Sequence, residues 1–346
     1  MTAKTFENLT SLVDLLRRRA EESPAELGYT FLSESGEEMG SLTWSELDAR
    51  ARAIGVLLEG AGAVGQRVLL LYPPGLEFVA AFLGCLYGGA IAVPAYPPRS
   101  ERTLPRLLSI VTDARPAVAL TTNELAGKLE ALAAKVPGLS ALRAVATDGM
   151  GYEMEEMADA WRDPGSTGDT LAFLQYTSGS TAAPKGVRVS HANLLHNEEM
   201  IRQAFRQSAD SVVVGWLPLY HDMGLIGNVL QPLYVGARCI LMSPVTFLQR
   251  PVRWLEAISK YRATTSGGPN FAYELCVRKI GEEDRARLDL STWNVAYNGA
   301  EPVRAETLER FASAFAASGF RREAFYPCYG LAEATLFVAG GEPGAG

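Results

Sequence analysis

The chain has 346 residues, enough for two or three packed units with large cores. Hydrophobic residues make up 48% and charged residues 21%, a balance that excludes a disordered chain. The net charge of -7 argues against general binding to nucleic acid or an anionic membrane, but a small polyanion needs only a local cluster of donors.

Cys85, Cys239, Cys276 and Cys328 are far apart, no CxxC pair occurs, and histidines number 3. That usage predicts reduced, mostly buried thiols in a cytosolic protein rather than a zinc site or a disulfide framework.

In chain order, the first stretch lacks the apolar region of a signal peptide, and Leu12, Leu15 and Leu16 mark one face of an amphipathic helix. Thr43 and Glu46 form a capping box that opens a helix ending near Gly60. Gly60, Gly62 and Gly65 match GxGxxG, but the order here is helix, loop, strand. A dinucleotide site needs strand, loop, helix, so a plain turn is expected. The run QRVLLLYPP reads as a buried strand. Residues 78–98 carry no charge, yet Gly88, Gly89 and Pro94 break the run, so a buried helix followed by the strand AIAVPAY is expected instead of a membrane span. Strands AVALTT and LRAVATD follow, then the linker WRDPGSTGD at 161–169, then TLAFLQYTS, VRVS, SVVVGWLP, ARCILMS, ATTSGG and WNVAYNGA. The rhythm predicts an α/β fold with about nine or ten strands in two mostly parallel sheets flanked by helices. The last residues, VAGGEPGAG, are expected to be a flexible tail or a cut site rather than a natural domain end.

The strongest chemical signal is the loop Thr177-Ser178-Gly179-Ser180-Thr181-Ala182-Ala183-Pro184-Lys185-Gly186, set between the strands LAFLQY and VRVS. Glycines let backbone N–H groups approach an anion, hydroxyls add donors, and a lysine supplies a point charge. The combination suits a di- or triphosphate. It is not a Walker A loop, because Pro184 precedes the lysine and Gly186 follows it.

With that loop, the chain resembles the adenylate-forming superfamily of acyl-CoA synthetases, peptide-synthetase adenylation domains, luciferases and fatty acyl-AMP ligases. Three further segments agree in order: WLPLYHDMGL from Trp216, NGAEP from Asn298 and YGLAEAT from Tyr329. VPAYPP at 93–98 and SGGPNFAYELC at 266–276 make the resemblance closest to fatty acyl-AMP ligases, over essentially the whole chain.

The resemblance implies the large N-terminal adenylation domain of such an enzyme, using ATP and Mg²⁺ to turn a fatty acid into an acyl-adenylate for an acyl carrier protein. It assigns Thr177, Ser178, Gly179, Ser180, Thr181 and Lys185 to the β- and γ-phosphates. Asn298, Gly299, Ala300, Glu301, Tyr329, Gly330, Leu331 and Ala332 are assigned to the nucleotide, and Glu333, read as a helical residue, to the metal. Lys185, His221 and Glu333 are the expected catalytic residues. Asp222 either orients His221 or caps the following helix, and Met223, Ile226 and Phe271 are candidate acyl contacts beside His221 and Asp222. Tyr273 and Cys276 join that apolar group, although ordinary core is the preferred reading for all of it. Ala332 stands where the superfamily usually has Thr; a backbone group or Thr335 is the expected substitute. One subdomain is expected over 60–205 with the phosphate loop, the other over 10–59 and 210–340. The family's ribose-binding Asp, hinge and C-terminal domain are expected beyond Gly346, so the chain by itself is expected to turn over little or not at all. An acyl-CoA synthetase and a non-catalytic nucleotide-binding fragment are the alternatives.

Overall fold

The structure, a computed structural model, describes residues 9–98, 103–140, 142–151, 153–177, 184–342 and 344. The described strands are β1 Leu27–Leu32, β2 Glu38–Thr43, β3 Arg67–Leu71, β4 Ile91–Ala95, β5 Val118–Thr121, β6 Ala144–Ala146, β7 Leu171–Tyr176, β8 Gly186–Ser190, β9 Val212–Gly215, β10 Arg238–Met242, β11 Thr265–Gly268, β12 Val295–Asn298, β13 Phe325–Gly330 and β14 Phe337–Gly340. One sheet has six strands in the order β6-β5-β3-β4-β7-β8; the other has eight, β14-β13-β12-β11-β9-β10-β1-β2. In the first, β8 alone returns antiparallel, against β7. In the second, β1, β10, β9, β11, β12 and β13 are parallel and β14 returns antiparallel on β13. Both are the mostly parallel, helix-flanked sheets expected of the sequence.

A parallel strand is covered on both faces, so it reads as a continuous apolar run. The strands β3 (RVLLL) and β10 (RCILM) follow that rule and bury every residue but the first.

The chain divides into two units. The unit of the six-stranded sheet takes Leu42–Leu195 and the described residues up to Glu26; the other takes Leu27–Ser41 and the chain from His196. The early boundary therefore differs from the expected one, because the helices Leu12–Glu22 and Trp44–Gly60 belong with the six-stranded sheet. Among the described early residues, only Leu27–Ser41 joins the later chain, and the cause is β1, which pairs with β10 from Tyr29 opposite Cys239 to Leu32 opposite Met242.

In the first unit, the helix Trp44–Gly60 starts on the expected reciprocal cap. Thr43 Oγ1 accepts the Glu46 N–H at 3.2 Å, and Glu46 Oε2 accepts the Thr43 N–H at 2.8 Å. Ser11 and Asp14 repeat the device for the helix Leu12–Glu22. The helix Leu76–Tyr87 is buried almost throughout. A Cβ on its Gly84 would lie 2.4 Å from Ile54 Cγ2, so the glycine lets two helices touch. That packing accounts for the uncharged run, and no described helix is long and apolar enough to cross a membrane. In the second unit, Trp254, Trp293, Tyr273, Phe311 and Phe325 pack as one aromatic core.

Candidate active site

In the six-stranded unit, the phosphate-loop candidate joins β7 to β8, an antiparallel hairpin whose last pair is Tyr176 opposite Gly186. The Thr177 N–H donates to the Lys185 carbonyl at 3.1 Å and closes the base. Ser178, Gly179, Ser180 and Thr181 lie outside the described residues. Thr177 is half-buried and Lys185 exposed. Under the hairpin, the Tyr176 hydroxyl donates to Asp113 Oδ2 at 2.5 Å, and a Cβ on Gly186 would lie 3.0 Å from the Tyr176 ring. Burial first, and then the Asp113 carboxylate, push the phenol's pKa up, so it stays a donor. Asp113 carried no sequence signal for this role, since it sits in the amphipathic helix Leu104–Ala114.

The remaining candidates lie in the eight-stranded unit, just beyond the carboxyl ends of four adjacent parallel strands, β9, β11, β12 and β13. Open α/β sheets bind ligands at that end. The chain after β9 carries His221 and Asp222, and the chain after β11 carries Phe271. Gly299, Ala300 and Glu301 follow β12. Tyr329 and Gly330 end β13, with Leu331, Ala332 and Glu333 next.

His221 stands immediately before the short helix Asp222–Leu225, and its Nδ1 is 2.6 Å from Asp222 Oδ1. A carboxylate accepts, so Nδ1 is the protonated nitrogen of that contact. The Met223 N–H lies 3.4 Å from His221 Nδ1 but 2.7 Å from Asp222 Oδ1, so the carboxylate takes it. Asp222 therefore both orients the ring and serves the helix start. A π-turn, Ile226–Leu230, follows. Such turns leave carbonyls unpaired in the helix; here the Asn228 and Val229 carbonyls accept from the Cys239 thiol and the Tyr29 hydroxyl. The Asn228 amide donates to the Tyr297 hydroxyl at 2.8 Å, tying this helix to β12.

Among the apolar candidates, Ile226, Tyr273 and Cys276 are fully enclosed and Met223 is buried. Phe271 is exposed and sits edge-on to Trp216, which stacks on Phe247 at 3.9 Å.

Glu301 Oε1 accepts the Phe271 N–H at 2.6 Å, an anion set at the start of the helix Asn270–Lys279. Its carboxylate thus binds the β11 and β12 loops together. Gly299 has no room for a side chain, because a Cβ would lie 2.8 Å from the Cys328 carbonyl oxygen. Ala300 takes a left-handed φ of 66°. Asn298 is fully buried, and neither side-chain polar atom has a partner. Burial pushes the Cys328 thiol up to about 11 despite a backbone hydrogen bond from Asn298, so it is no nucleophile at neutral pH.

Tyr329 is 62% exposed, which removes the core-aromatic reading. A Cβ on Gly330 would lie 2.2 Å from the Leu336 carbonyl oxygen, where the β13–β14 register shifts. Ala332 is buried and Glu333 exposed. Glu333 lies in the single 3₁₀ turn Ala332–Ala334, not in the helix expected for it; the turn cannot extend because Thr335 reverses the chain at φ 75°, ψ -65°. Leu336 N–H then donates to the Ala334 carbonyl at 3.0 Å, closing a γ-turn, a strained conformation for a β-branched residue.

The sequence profile of the AMP-binding enzyme family matches residues 16–345. A medium-chain-fatty-acid acyl-carrier-protein ligase from Moorena producens is 47% identical over 334 residues, covering 95% of this chain and 56% of that relative. A ligase of the same description from Teredinibacter turnerae is 36% identical over 375 residues, covering 99% of this chain and 58% of the relative. The chain thus spans little more than half the length of these relatives. The crystal structure of a fatty acid AMP ligase from Legionella pneumophila superposes with a TM-score of 0.94 at 48% identity, over 99% of this chain and 59% of that one. A fatty acyl-adenylate ligase from the same organism, in complex with acyl adenylate and pyrophosphate, gives 0.93 at 48%, with the same coverage. The chain belongs to the AMP-binding enzyme family, with its similarity running to the fatty acyl-AMP ligases within it.

Proposed function

We propose that the whole protein activates a fatty acid as its acyl-adenylate and passes the acyl group to an acyl carrier protein. The observation that carries this reading is the clustering of the His221, Phe271, Glu301, Tyr329 and Glu333 segments beyond four neighbouring parallel strands. The two relatives named as acyl-carrier-protein ligases support the acceptor.

A carboxylate oxygen of the fatty acid attacks the α-phosphorus of ATP. The bond from that phosphorus to the bridging oxygen breaks, and pyrophosphate leaves with the electron pair. Both reactants are anionic, so alignment and charge neutralisation dominate the barrier. Lys185 and the hydroxyls of Thr177, Ser178, Ser180 and Thr181 hold the β- and γ-phosphates. His221, its ring fixed by Asp222, borders the reacting carboxylate. Tyr329 offers its exposed face to adenine, and Asn298 brings two unpaired polar atoms to the same strand end. Gly299, Ala300, Gly330, Leu331 and Ala332 line the nucleotide by backbone.

Among the described residues, no three His, Cys, Asp or Glu side chains gather to cage a metal. Glu333 is an exposed carboxylate, which fits a Mg²⁺ that arrives on ATP, since Mg²⁺ commonly takes one or two carboxylates with phosphates and waters. When bound, it neutralises phosphate charge. Met223 and Phe271 border the acyl chain, with Ile226 behind them.

Fatty-acid-dependent exchange of pyrophosphate into ATP by the full-length protein, run across acyl chain lengths, tests the reading. Exchange that no fatty acid supports overturns it. Thioester formation with free CoA in place of a carrier's phosphopantetheine arm overturns the acceptor.

A further inference from the structure

The turn that carries Glu333 is held by a residue outside every motif read from the sequence. Asn197 lies in the helix His191–Phe205 and is 3% exposed. Its Oδ1 accepts the Phe337 N–H at 2.9 Å, and its Nδ2 donates to the Phe337 carbonyl at 2.9 Å. The same Nδ2 lies 3.5 Å from the Ala334 carbonyl. One amide thus pairs both backbone groups of Phe337, as a neighbouring strand would. Two helical turns on, Phe205 meets the Phe337 ring edge-on at 6.1 Å. Phe337 opens β14, directly after the γ-turn at Thr335.

Among the described residues, the turn's other backbone hydrogen bonds are local: Leu331 N–H donates to the Leu336 carbonyl at 2.9 Å, and the rest lie within Leu331–Leu336. A left-handed threonine persists only where its surroundings over-determine it. Asn197 supplies that constraint from outside the turn. We propose that Asn197 is a positioning residue for Glu333, setting the strained turn that presents the carboxylate to Mg·ATP. The proposal rests on the reading of Glu333 given above.

The test uses the full-length enzyme with Asn197→Ala, Asn197→Asp, Glu333→Gln and the control Asn193→Ala. Asn193 exchanges hydrogen bonds with Ser190 at the start of the same helix, one turn before Asn197. Asn197→Asp keeps the shape and the acceptor for Phe337 N–H but turns an oxygen toward two carbonyls, so it is expected to behave like the alanine variant. Three readouts are taken: amide hydrogen exchange of the peptide 331–340, the Mg²⁺ concentration for half-maximal pyrophosphate exchange, and Mn·ATP affinity by electron paramagnetic resonance. Both Asn197 variants should speed hydrogen exchange in that peptide. They should also raise the Mg²⁺ concentration for half-maximal exchange and weaken Mn·ATP affinity, in the direction of the loss that Glu333→Gln gives. Asn193→Ala should leave all three at wild-type values. If Glu333→Gln abolishes activity while both Asn197 variants keep wild-type hydrogen exchange and metal dependence, the positioning role is overturned and the Glu333 reading stands. If Glu333→Gln keeps full activity and Mn·ATP affinity, both fall. Lower melting temperature in the Asn197 variants with no change in metal dependence reduces Asn197 to a packing residue and also overturns the proposal.

Discussion

His191 ties the stability of the six-stranded unit to pH. Its side chain is buried, and Nδ1 accepts the Leu12 N–H at 3.1 Å, one of the N–H groups that a helix start leaves unpaired. A ring that accepts there is neutral, and protonation would both break the bond and bury a cation. Burial accordingly pulls the ring's pKa from the ordinary 6.5 to about 4, with Asp14 opposing weakly. The folded value lies below the unfolded one, so the contribution is full above the unfolded value and is lost as pH falls toward the folded one. Between about pH 7 and about pH 5, linkage removes about 2 kcal/mol. That corresponds to a drop of roughly 4–8 °C in melting temperature for a unit of this size. His191→Gln keeps an acceptor for Leu12 N–H without a titrating group, so the wild type minus variant difference isolates the ring from the carboxylates that titrate nearby. Calorimetric melts of both proteins at the two pH values read it. Equal losses in the two proteins would refute the argument that the fold holds this ring neutral.

Glu198 has the opposite sign. It is fully buried with Oε1 unpartnered, and burial holds its carboxyl well above the usual carboxylate range. Stability is then full at acid pH and is lost as pH rises, so Glu198→Gln should stabilise the protein in mildly alkaline buffer, with the gain shrinking on acidification in denaturant melts. Thr335→Gly should relieve the γ-turn and raise the unfolding free energy by about 1 kcal/mol, read by urea unfolding; a loss would show the turn to be unstrained. Lys185→Ala in the full-length enzyme should remove roughly 2–4 kcal/mol of transition-state stabilisation, read as kcat/KM in pyrophosphate exchange. An undiminished rate removes Lys185 from the site.

Ten of the strands were legible as apolar runs, because β3–β12 are bounded by clear turns and most are covered on both faces. β2 and β14 were not, since each is a half-exposed edge strand with little apolar pattern. β13 hides behind Pro327 and Gly330, residues that argue against a strand. The division of the chain was blurred for another reason: β1 has its partner in β10, and no local pattern reports a pairing across that separation. At the candidate site, motif residues were readable because their chemistry sits in short ordered runs. Asp113, Asn197 and Asn228 were not, because each acts on a residue far away in the chain and looks in sequence like an ordinary polar residue on a helix.

The seat of β1 beside β10 also bears on synthesis. Leu27–Leu32 leaves the ribosome about two hundred residues ahead of Arg238–Met242. At elongation rates of roughly 5–20 residues per second, it waits about 10–40 s with β2 on one edge and its other edge open. The six-stranded sheet draws every strand from one stretch, Arg67 to Ser190, and is complete as a set of strands before β10 is made. In the nascent chain, the β10-facing edge of GYTFL is therefore a segment that calls for chaperone cover, and a stall anywhere before β10 leaves that edge open.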